Sequence, residues 1–293
     1  MRNFAAVVAA ILVPAVSHCA AVATAPPVIE VQVTGRGEPL IFIPGVATPG
    51  AVWEETVAHL QDRYECHVVS IAGFGSMAPV KTGRFLDEVR SQIIAHVRSQ
   101  KLHKPTLIGH SLGGALALAV GEKAPDLPSR IIVVDSLPFL AALRFPGVRN
   151  AEEAKQAVAK SRREIEKQSA AQFAPPPPGV VTSDTIPESS YFRRINQLCA
   201  SSDPATVATA RIELFSTDFR PHLGKIRCPI LVLGALAGKM PGAPQAVVEK
   251  FYRAQYAKAP QTRFEFFPKS RHYLMLDDFA GFCATLDREL AAP

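Results

Sequence analysis

A serine flanked by glycines lies between two apolar segments and has the surroundings of an activated nucleophile. The hexapeptide is Gly109-His110-Ser111-Leu112-Gly113-Gly114. It joins the apolar run Thr106–Gly109 to a stretch of small residues, Leu112–Val120, and shares residues with both. Glycine permits a strand-to-helix turn so tight that a Cβ would meet the neighbouring backbone. The amino end of the helix that follows favours a developing negative charge at the same place. This pattern predicts that the hydroxyl of Ser111 is a nucleophile.

The hexapeptide, in this setting, resembles the nucleophile turn of the α/β-hydrolase superfamily. The branch it resembles has a Gly-His-Ser-Leu-Gly-Gly sequence and an inserted helical cap, and the resemblance extends over residues 28–290. It implies a mostly parallel central sheet flanked by helices. It also implies catalysis by a serine, an acid and a histidine, in that order along the chain.

A general base is needed, because a serine hydroxyl attacks poorly until its proton is removed. The sequence holds eight histidines. Of these, His272 lies in a loop between the last predicted strand, Arg263–Phe267, and the final predicted helix, Phe279–Leu290. That position matches the catalytic histidine of the superfamily, and we predict His272 as the general base. His110 is adjacent to the serine and is expected to point elsewhere.

The acid departs from the commonest pattern of the superfamily. Most relatives place it in the loop after the strand equivalent to Ile230–Leu233, but residues 234–242 contain no carboxylate. Some relatives use the end of the preceding strand, where this chain has Asp135. Asp277 and Asp278 are too close in sequence to His272 to orient its ring. We predict Asp135 as the catalytic acid; a purely structural aspartate, or a site without an acid, are the alternatives.

The resemblance also implies an oxyanion hole made of two backbone N–H groups. One belongs to Leu112, the residue after the nucleophile. The other belongs to the loop Pro44-Gly45-Val46, after the predicted strand Leu40–Ile43. Proline replaces the histidine that is usual in this loop. The predicted donor is the N–H of Val46, a backbone group that the replacement does not remove.

Apolar strands and helical segments alternate on both sides of a central stretch of the chain. Such alternation predicts a parallel sheet that is covered by helices on both faces. At the start, Val28–Val33 is a predicted strand, and Gly35-Arg36-Gly37-Glu38 is a predicted hairpin turn into the next one. The sequence therefore predicts an α/β fold.

The central stretch, residues 138–225, has no strand signal. It contains the predicted helices Ala151–Ser169 and Ala205–Phe215, and the tract Pro175-Pro176-Pro177-Pro178, which is typical of an extended connector. We predict a helical cap over residues 138–225, inserted into a hydrolase core of residues 28–137 and 226–293.

The first residues have the pattern of a signal peptide. Arg2 is followed by an apolar stretch, Phe4–Val16, and by small residues up to Ala25. We predict a signal peptide over residues 1–23, cleaved near residues 23–25, and an exported protein, either periplasmic or secreted. The apolar stretch is short for a bilayer, and no longer one follows, so no stable membrane span is expected. The net charge is +6, but the basic residues are scattered, which argues against a nucleic-acid partner.

Four cysteines follow the predicted signal peptide, and their pairing is left open. None of their spacings resembles a metal site, and the chain has neither a phosphate-binding loop nor a dinucleotide fingerprint. We therefore expect no metal and no cofactor, while the sequence leaves the oligomeric state open. These cysteines are Cys66, Cys199, Cys228 and Cys283.

The chemistry implied is hydrolysis of a small-molecule carboxylic ester through an acyl-enzyme on Ser111. Amide, lactone or β-lactam hydrolysis would use the same groups and remains open. A non-catalytic ligand-binding member of the fold is the alternative of a different class. Apolar residues of the predicted cap are candidates to line a pocket for an apolar group: Phe139, Leu140, Leu143, Phe145 and Phe173.

Overall fold

The computed structural model describes residues 27–171, 196–197, 199–237, 239–240 and 242–291. The predicted signal peptide lies outside these residues, as do the proline tract at 175–178 and Phe173. Within the described residues, none of the helices combines the length and the apolar character that a bilayer crossing requires.

Seven strands form one sheet in the order β1-β3-β2-β4-β5-β6-β7. Strand β1 is antiparallel to β3, and all the other neighbours are parallel. The predicted α/β fold with a mostly parallel sheet is therefore confirmed. The strands are β1 (Ile29–Gly35), β2 (Glu38–Ile43), β3 (Tyr64–Ile71), β4 (Thr106–His110), β5 (Arg130–Val134), β6 (Ile230–Ala235) and β7 (Thr262–Phe267).

Helices connect the parallel strands, and some of those that the structure describes lie in the stretch between β5 and β6 that was predicted as a cap. The helices are α1 (Glu54–Leu60), α2 (Phe85–Ser99), α3 (Leu112–Lys123), α4 (Ala141–Arg144), α5 (Ala151–Ala171), α6 (Pro204–Ser216), α7 (Gln245–Gln255), α8 (Leu274–Asp277) and α9 (Phe279–Ala291). Short 3-10 turns precede α1, at Gly50–Trp53, and β6, at Arg220–Lys225.

The sheet is buried on both faces, as its apolar strands require. In β2, Ile41 and Ile43 pack into the hydrophobic cluster on one face, while Leu40 and Phe42 pack into the cluster on the other. Because successive side chains of a strand point to opposite faces, a run of four apolar residues fills both layers. This rigid double layer supports the loops at the strand ends.

The predicted hairpin between the first two strands is wrong. Strand β1 pairs with β3 rather than with β2, so the turn crosses the start of β3. Gly35 and Gly37 both have positive φ angles, and a Cβ on either would come within 2.4 Å of carbonyl oxygens of residues 61–64. The two glycines therefore allow two chain segments to cross at close range. A hairpin turn would show the same pattern of glycines in the sequence.

The parallel strands direct the predicted site residues to one edge of the sheet. Val46 follows β2, Ser111 follows β4, Asp135 follows β5, and His272 lies in the loop after β7. The carboxyl ends of parallel strands lie at the same edge, which is where open α/β sheets place their ligands.

Candidate active site

Ser111 occupies a strained turn between β4 and α3. Its backbone has φ +53° and ψ −117°, a conformation that costs a non-glycine residue about 1–3 kcal/mol. Hydrogen bonds on both sides hold this strained conformation. The N–H of Ser111 donates to the carbonyl of Val134, and the carbonyl of Ser111 accepts from the N–H groups of Gly114 and Ala115 in the first turn of α3. The side chain remains half-buried rather than enclosed.

Two glycines make this turn sterically possible. A Cβ on Gly109 would lie 2.1 Å from the carbonyl oxygen of Gly113, and a Cβ on Gly113 would lie 2.1 Å from that of Ile43. The backbones thus lie in direct contact, with no side chain between them, where strand β4, helix α3 and the end of β2 meet. The tight turn that the sequence predicted around Ser111 is present.

His272 and Asp135 form a hydrogen-bonded pair across the sheet edge. Nδ1 of His272 lies 2.6 Å from Oδ2 of Asp135, although the residues are 137 positions apart. The side chain of Asp135 is fully buried, whereas that of His272 is 35% exposed. With Nδ1 donating to the carboxylate, Nε2 of the neutral ring carries the lone pair that a general base needs.

Three further donors hold the carboxylate of Asp135. The hydroxyl of Tyr252 donates to Oδ1 at 2.5 Å, the N–H of Ala235 donates to Oδ1 at 3.1 Å, and Nζ of Lys239 donates to Oδ2 at 2.5 Å. Burial opposes ionisation, but the Lys239 ammonium and the hydrogen bond from His272 hold the pKa of Asp135 well below its usual range. The carboxylate is therefore ionised and fixed in orientation.

Lys239 and Tyr252 were not anticipated from the sequence. Lys239 lies in the loop after β6, where no carboxylate is available, and it supplies a positive charge to the acid at the end of β5. Tyr252 reaches the same carboxylate from α7, and burial beside that charge raises the pKa of its phenol well above the usual value. A protonated phenol can only donate here. Neither contact has a signal in local sequence.

His110 supports the loop that carries the base. Its ring is buried 4.5 Å from the ring of His272, and Nε2 lies 2.9 Å from the carbonyl oxygen of His272. Burial, followed by the nearby His272, holds the pKa of His110 well below its usual value, so the ring is neutral. The expectation that His110 points away from the chemistry is incomplete, because its ring contacts the base.

The turn after β2 lies directly against the nucleophile. A Cβ on Gly45 would come within 3.2 Å of Cβ of Ser111, and the N–H of Thr48 closes the turn on the carbonyl of Gly45 at 3.2 Å. This turn contains Val46. On the other side of the serine, Leu112 begins α3, where backbone N–H groups have no acceptor within the helix. The turn that contains Val46 thus contacts Ser111, and Leu112 follows Ser111 directly, so both remain the predicted oxyanion donors.

No metal site was recognised in the part of the chain that the structure describes. There, no group of three or more histidine, cysteine, aspartate or glutamate residues is arranged to hold an ion.

Comparison with known proteins places this chain in a family. The sequence profile of the alpha/beta hydrolase family matches residues 40–285, and the chain belongs to that family. The predicted family and the predicted enzyme class, a serine hydrolase, are thereby confirmed.

Several relatives of this chain are named as esterases. The chain is 27% identical over 261 residues to a pimeloyl-[acyl-carrier protein] methyl ester esterase of Vibrio cholerae, covering 87% of this chain and 95% of that one. A protein of the same name from Aliivibrio salmonicida is 36% identical over 121 residues, which span less than half of either chain: 41% of this one and 44% of that one. Among solved structures, an esterase from Exiguobacterium antarcticum superposes with a TM-score of 0.71 at 20% identity, covering 90% of this chain and 96% of that chain.

Proposed function

We propose that this protein is a serine esterase that cleaves small-molecule carboxylic esters through an acyl-enzyme on Ser111. The observation that carries the proposal is the 2.6 Å hydrogen bond between His272 and Asp135, formed beside a serine with φ +53° at the same sheet edge. A base that is oriented by a buried carboxylate, near a half-buried serine in a strained turn, is the arrangement that activates a hydroxyl.

The first half of the reaction transfers the acyl group to the enzyme. Nε2 of His272 takes the hydroxyl proton as Ser111 attacks the ester carbonyl, and the carbonyl π electrons move to oxygen. The N–H groups of Val46 and Leu112 hold that oxyanion. The tetrahedral intermediate collapses when the imidazolium gives its proton to the departing alkoxide, which leaves as the alcohol. Asp135 stabilises the imidazolium throughout and keeps its own charge.

Water completes the cycle by the same route. His272 takes a proton from water, the hydroxide attacks the acyl carbonyl, and the oxyanion again lies between the two backbone donors. Collapse breaks the bond to Ser111, and the proton on His272 returns to the serine oxygen. The reaction consumes the ester and one water molecule, its products are one acid and one alcohol, and the side chains return to their starting state.

The esterase names of the relatives support an ester rather than an amide as substrate. We propose an acyl or alcohol group of small to medium size, bound beneath the segment between β5 and β6. Leu140 and Leu143 are half-buried and suit an apolar lining. Phe139 is excluded from that role, because it is fully buried with the guanidinium of Arg220 lying 4.1 Å over its ring.

The direct test is turnover of nitrophenyl esters with acyl chains from acetate to decanoate. We expect hydrolysis of the shorter members, and a loss of about 10⁵-fold or more in kcat for Ser111→Ala. Ser136→Ala is the matched control, since Ser136 is a buried serine whose hydroxyl has no hydrogen-bond partner among the described residues. The control should retain wild-type turnover.

The same assay separates the alternatives. If a lactone, an anilide or a β-lactam is hydrolysed and no ester is, the same mechanism acts on that class of substrate instead of on esters. Equal and negligible rates in wild type and Ser111→Ala, together with no labelling of Ser111 by a fluorophosphonate, would contradict the proposal. The protein would then be a ligand-binding member of the fold.

We also propose that the protein is exported, with residues 1–23 as the signal peptide. The support is the sequence pattern alone: one arginine, an apolar core and small residues before position 25. Full-length protein expressed in a bacterial host should be recovered outside the cytoplasm with a new amino terminus near residues 24–26. Recovery of the intact amino terminus in the cytoplasm would reject export.

A further inference from the structure

Ser202 links the segment before α6 to two loops of the core. It is a buried residue, 6% exposed, two positions before α6 begins. Its hydroxyl donates to the carbonyl of Ala47 at 2.9 Å and accepts from the N–H of Gly75 at 2.8 Å. The first of these loops follows β2 and contains Val46. A single side chain from the predicted cap therefore bonds the backbone next to a proposed oxyanion donor.

Ala47 is held in a conformation that its own sequence disfavours. It has φ +58° at the third position of the turn that Thr48 closes on Gly45, a position that favours glycine. Residues in such conformations persist only where their surroundings over-determine them. The residue is completely buried, and the Ser202 hydroxyl donates to its carbonyl. That hydrogen bond opposes rotation of Ala47 to the negative φ that alanine prefers.

We propose that Ser202 is a positioning residue that sets the direction of the Val46 N–H by holding Ala47 in the left-handed conformation. The inference rests on the proposed serine mechanism, in which the Val46 N–H holds the oxyanion. The N–H of Val46 belongs to the Gly45–Val46 peptide, and the carbonyl of Ala47 belongs to the Ala47–Thr48 peptide. The hydrogen bond from Thr48 to Gly45 closes both peptides into one turn, so a rotation at Ala47 also changes the direction of the Val46 N–H. Ser202 acts through Val46 and touches no reacting atom.

This arrangement couples the segment between β5 and β6 to catalysis. Two further contacts hold that segment at the same place: the N–H of Asp203 donates to the carbonyl of Gly73 at 2.8 Å, and a Cβ on Gly73 would come within 2.7 Å of the Thr206 side chain. The oxyanion donor is aligned only while the segment is seated on these loops. Displacement of the segment removes the hydroxyl from Ala47 and relaxes the turn.

The experiment compares Ser202→Ala with wild type on the preferred ester. We expect kcat to fall by about 10- to 100-fold, because a donor misplaced by a fraction of an ångström loses transition-state stabilisation. KM should stay within about twofold. A trifluoromethyl ketone, which forms an oxyanion on Ser111, should bind more weakly by the same factor as kcat falls. Ser202→Thr restores the hydroxyl and should recover most of kcat.

Asp203→Ala is the matched control for stability. Asp203 caps α6 by accepting from the N–H of Thr206 at 2.7 Å, so its loss weakens the same segment without removing the bond to Ala47. We expect a lower Tm and an unchanged kcat. If Ser202→Ala behaves in the same way, Ser202 is a structural tie and the inference is overturned.

Two further measurements keep the outcome decisive. Ser202→Cys preserves shape and weakens both hydrogen bonds, so it replaces the alanine variant if that protein does not fold, with the same expected split between kcat and KM. The rate of Ser111 labelling by a fluorophosphonate serves if no ester is turned over. If the wild-type protein is labelled and the variant is labelled at the same rate, only the role of Ser202 is rejected. Absence of labelling in wild type rejects the proposed function itself.

Discussion

At the residue scale, the site is organised around one buried carboxylate. Asp135 accepts from His272, Lys239, Tyr252 and the backbone of β6, and it does so with a φ of +48° in its own backbone. A buried charge is tolerated only when it is paired and hydrogen-bonded. Sequence position was enough to select Asp135 and His272. It was not enough to find Lys239 or Tyr252, which lie 104 and 117 positions away from the acid.

Replacing the acid tests its role. We expect Asp135→Asn to lower kcat by roughly 10³- to 10⁴-fold, because an amide neither stabilises the imidazolium nor selects the ring tautomer with a free Nε2. The measurement is steady-state ester hydrolysis, with circular dichroism to verify folding. Asp278→Asn is the control, since Asp278 is an exposed cap on the backbone of α9 and asparagine caps equally well. Turnover that survives in Asp135→Asn would assign the acid elsewhere.

Removing the ammonium tests how the carboxylate is kept charged. We expect Lys239→Met to lower the free energy of unfolding at pH 7 by about 2 kcal/mol, less than a buried pair commonly loses, because three other donors remain. The pKa of Asp135 is depressed in the folded protein, so its stabilising contribution is complete above the unfolded carboxyl pKa of about 3.9 and is lost as pH falls below it. The free energy of unfolding of both proteins, measured with urea, should therefore fall as pH is lowered below about 4. Lys239→Met should lose less of it than wild type does, because its Asp135 carboxyl binds a proton more readily in the folded state. Equal losses over the acid range in which both proteins still fold would contradict this linkage.

At the element scale, the turn between β4 and α3 depends on backbone contacts that admit no side chain. Local sequence predicted this turn because the constraint is local: the glycines, the apolar strand and the helix are contiguous. The pairing of β1 was mispredicted for the opposite reason. Gly35 and Gly37 look like hairpin residues, yet the partner of β1 is a strand that begins almost thirty residues later than Gly35.

Two alanine substitutions in the same helix separate the backbone constraint from ordinary packing. Gly113→Ala places a Cβ 2.1 Å from the Ile43 carbonyl, and we expect a loss of more than about 3 kcal/mol or failure to accumulate as folded protein. In Gly121→Ala the only contact shorter than 3.4 Å is with the terminal methyl of Ile131, at 2.6 Å, which a rotamer change relieves. This control should lose about 1 kcal/mol or less, by thermal or urea unfolding. Similar losses in both variants would mean that the backbone approach at Gly113 is not limiting.

At the scale of the whole molecule, the four cysteines that the structure describes are part of the core rather than cross-links. Cys66, Cys199 and Cys283 pack into the hydrophobic cluster on one face of the sheet, and Cys228 packs into the cluster on the other. All four are free and buried. Burial raises the pKa of Cys66 to about 11 and that of Cys199 to about 12, so little thiolate is present at neutral pH. The pairing that the sequence left open is thus absent among the described residues.

Thiol titration tests this arrangement. We expect the native protein to resist Ellman's reagent, and the denatured protein to react at every cysteine without prior reduction. A chain that has lost its leader should give four thiols and an uncleaved chain five, because the fifth cysteine is Cys19. Dithiothreitol should leave Tm unchanged. Fewer thiols before reduction than after it would reveal a disulfide.

Local sequence was sufficient to predict what depends on neighbouring residues: the serine turn, the alternation of strands and helices, the position of Asp135 at the end of a strand and that of His272 in the loop after another. Their order along the chain, combined with parallel strands, is enough to place them at one sheet edge. Tertiary structure alone decided which groups meet there. Lys239 and Tyr252 on the acid, His110 against the base and Ser202 on Ala47 are contacts between segments far apart in sequence. Such contacts follow from how the sheet and its helices pack, and a short sequence pattern cannot predict which distant segments come together.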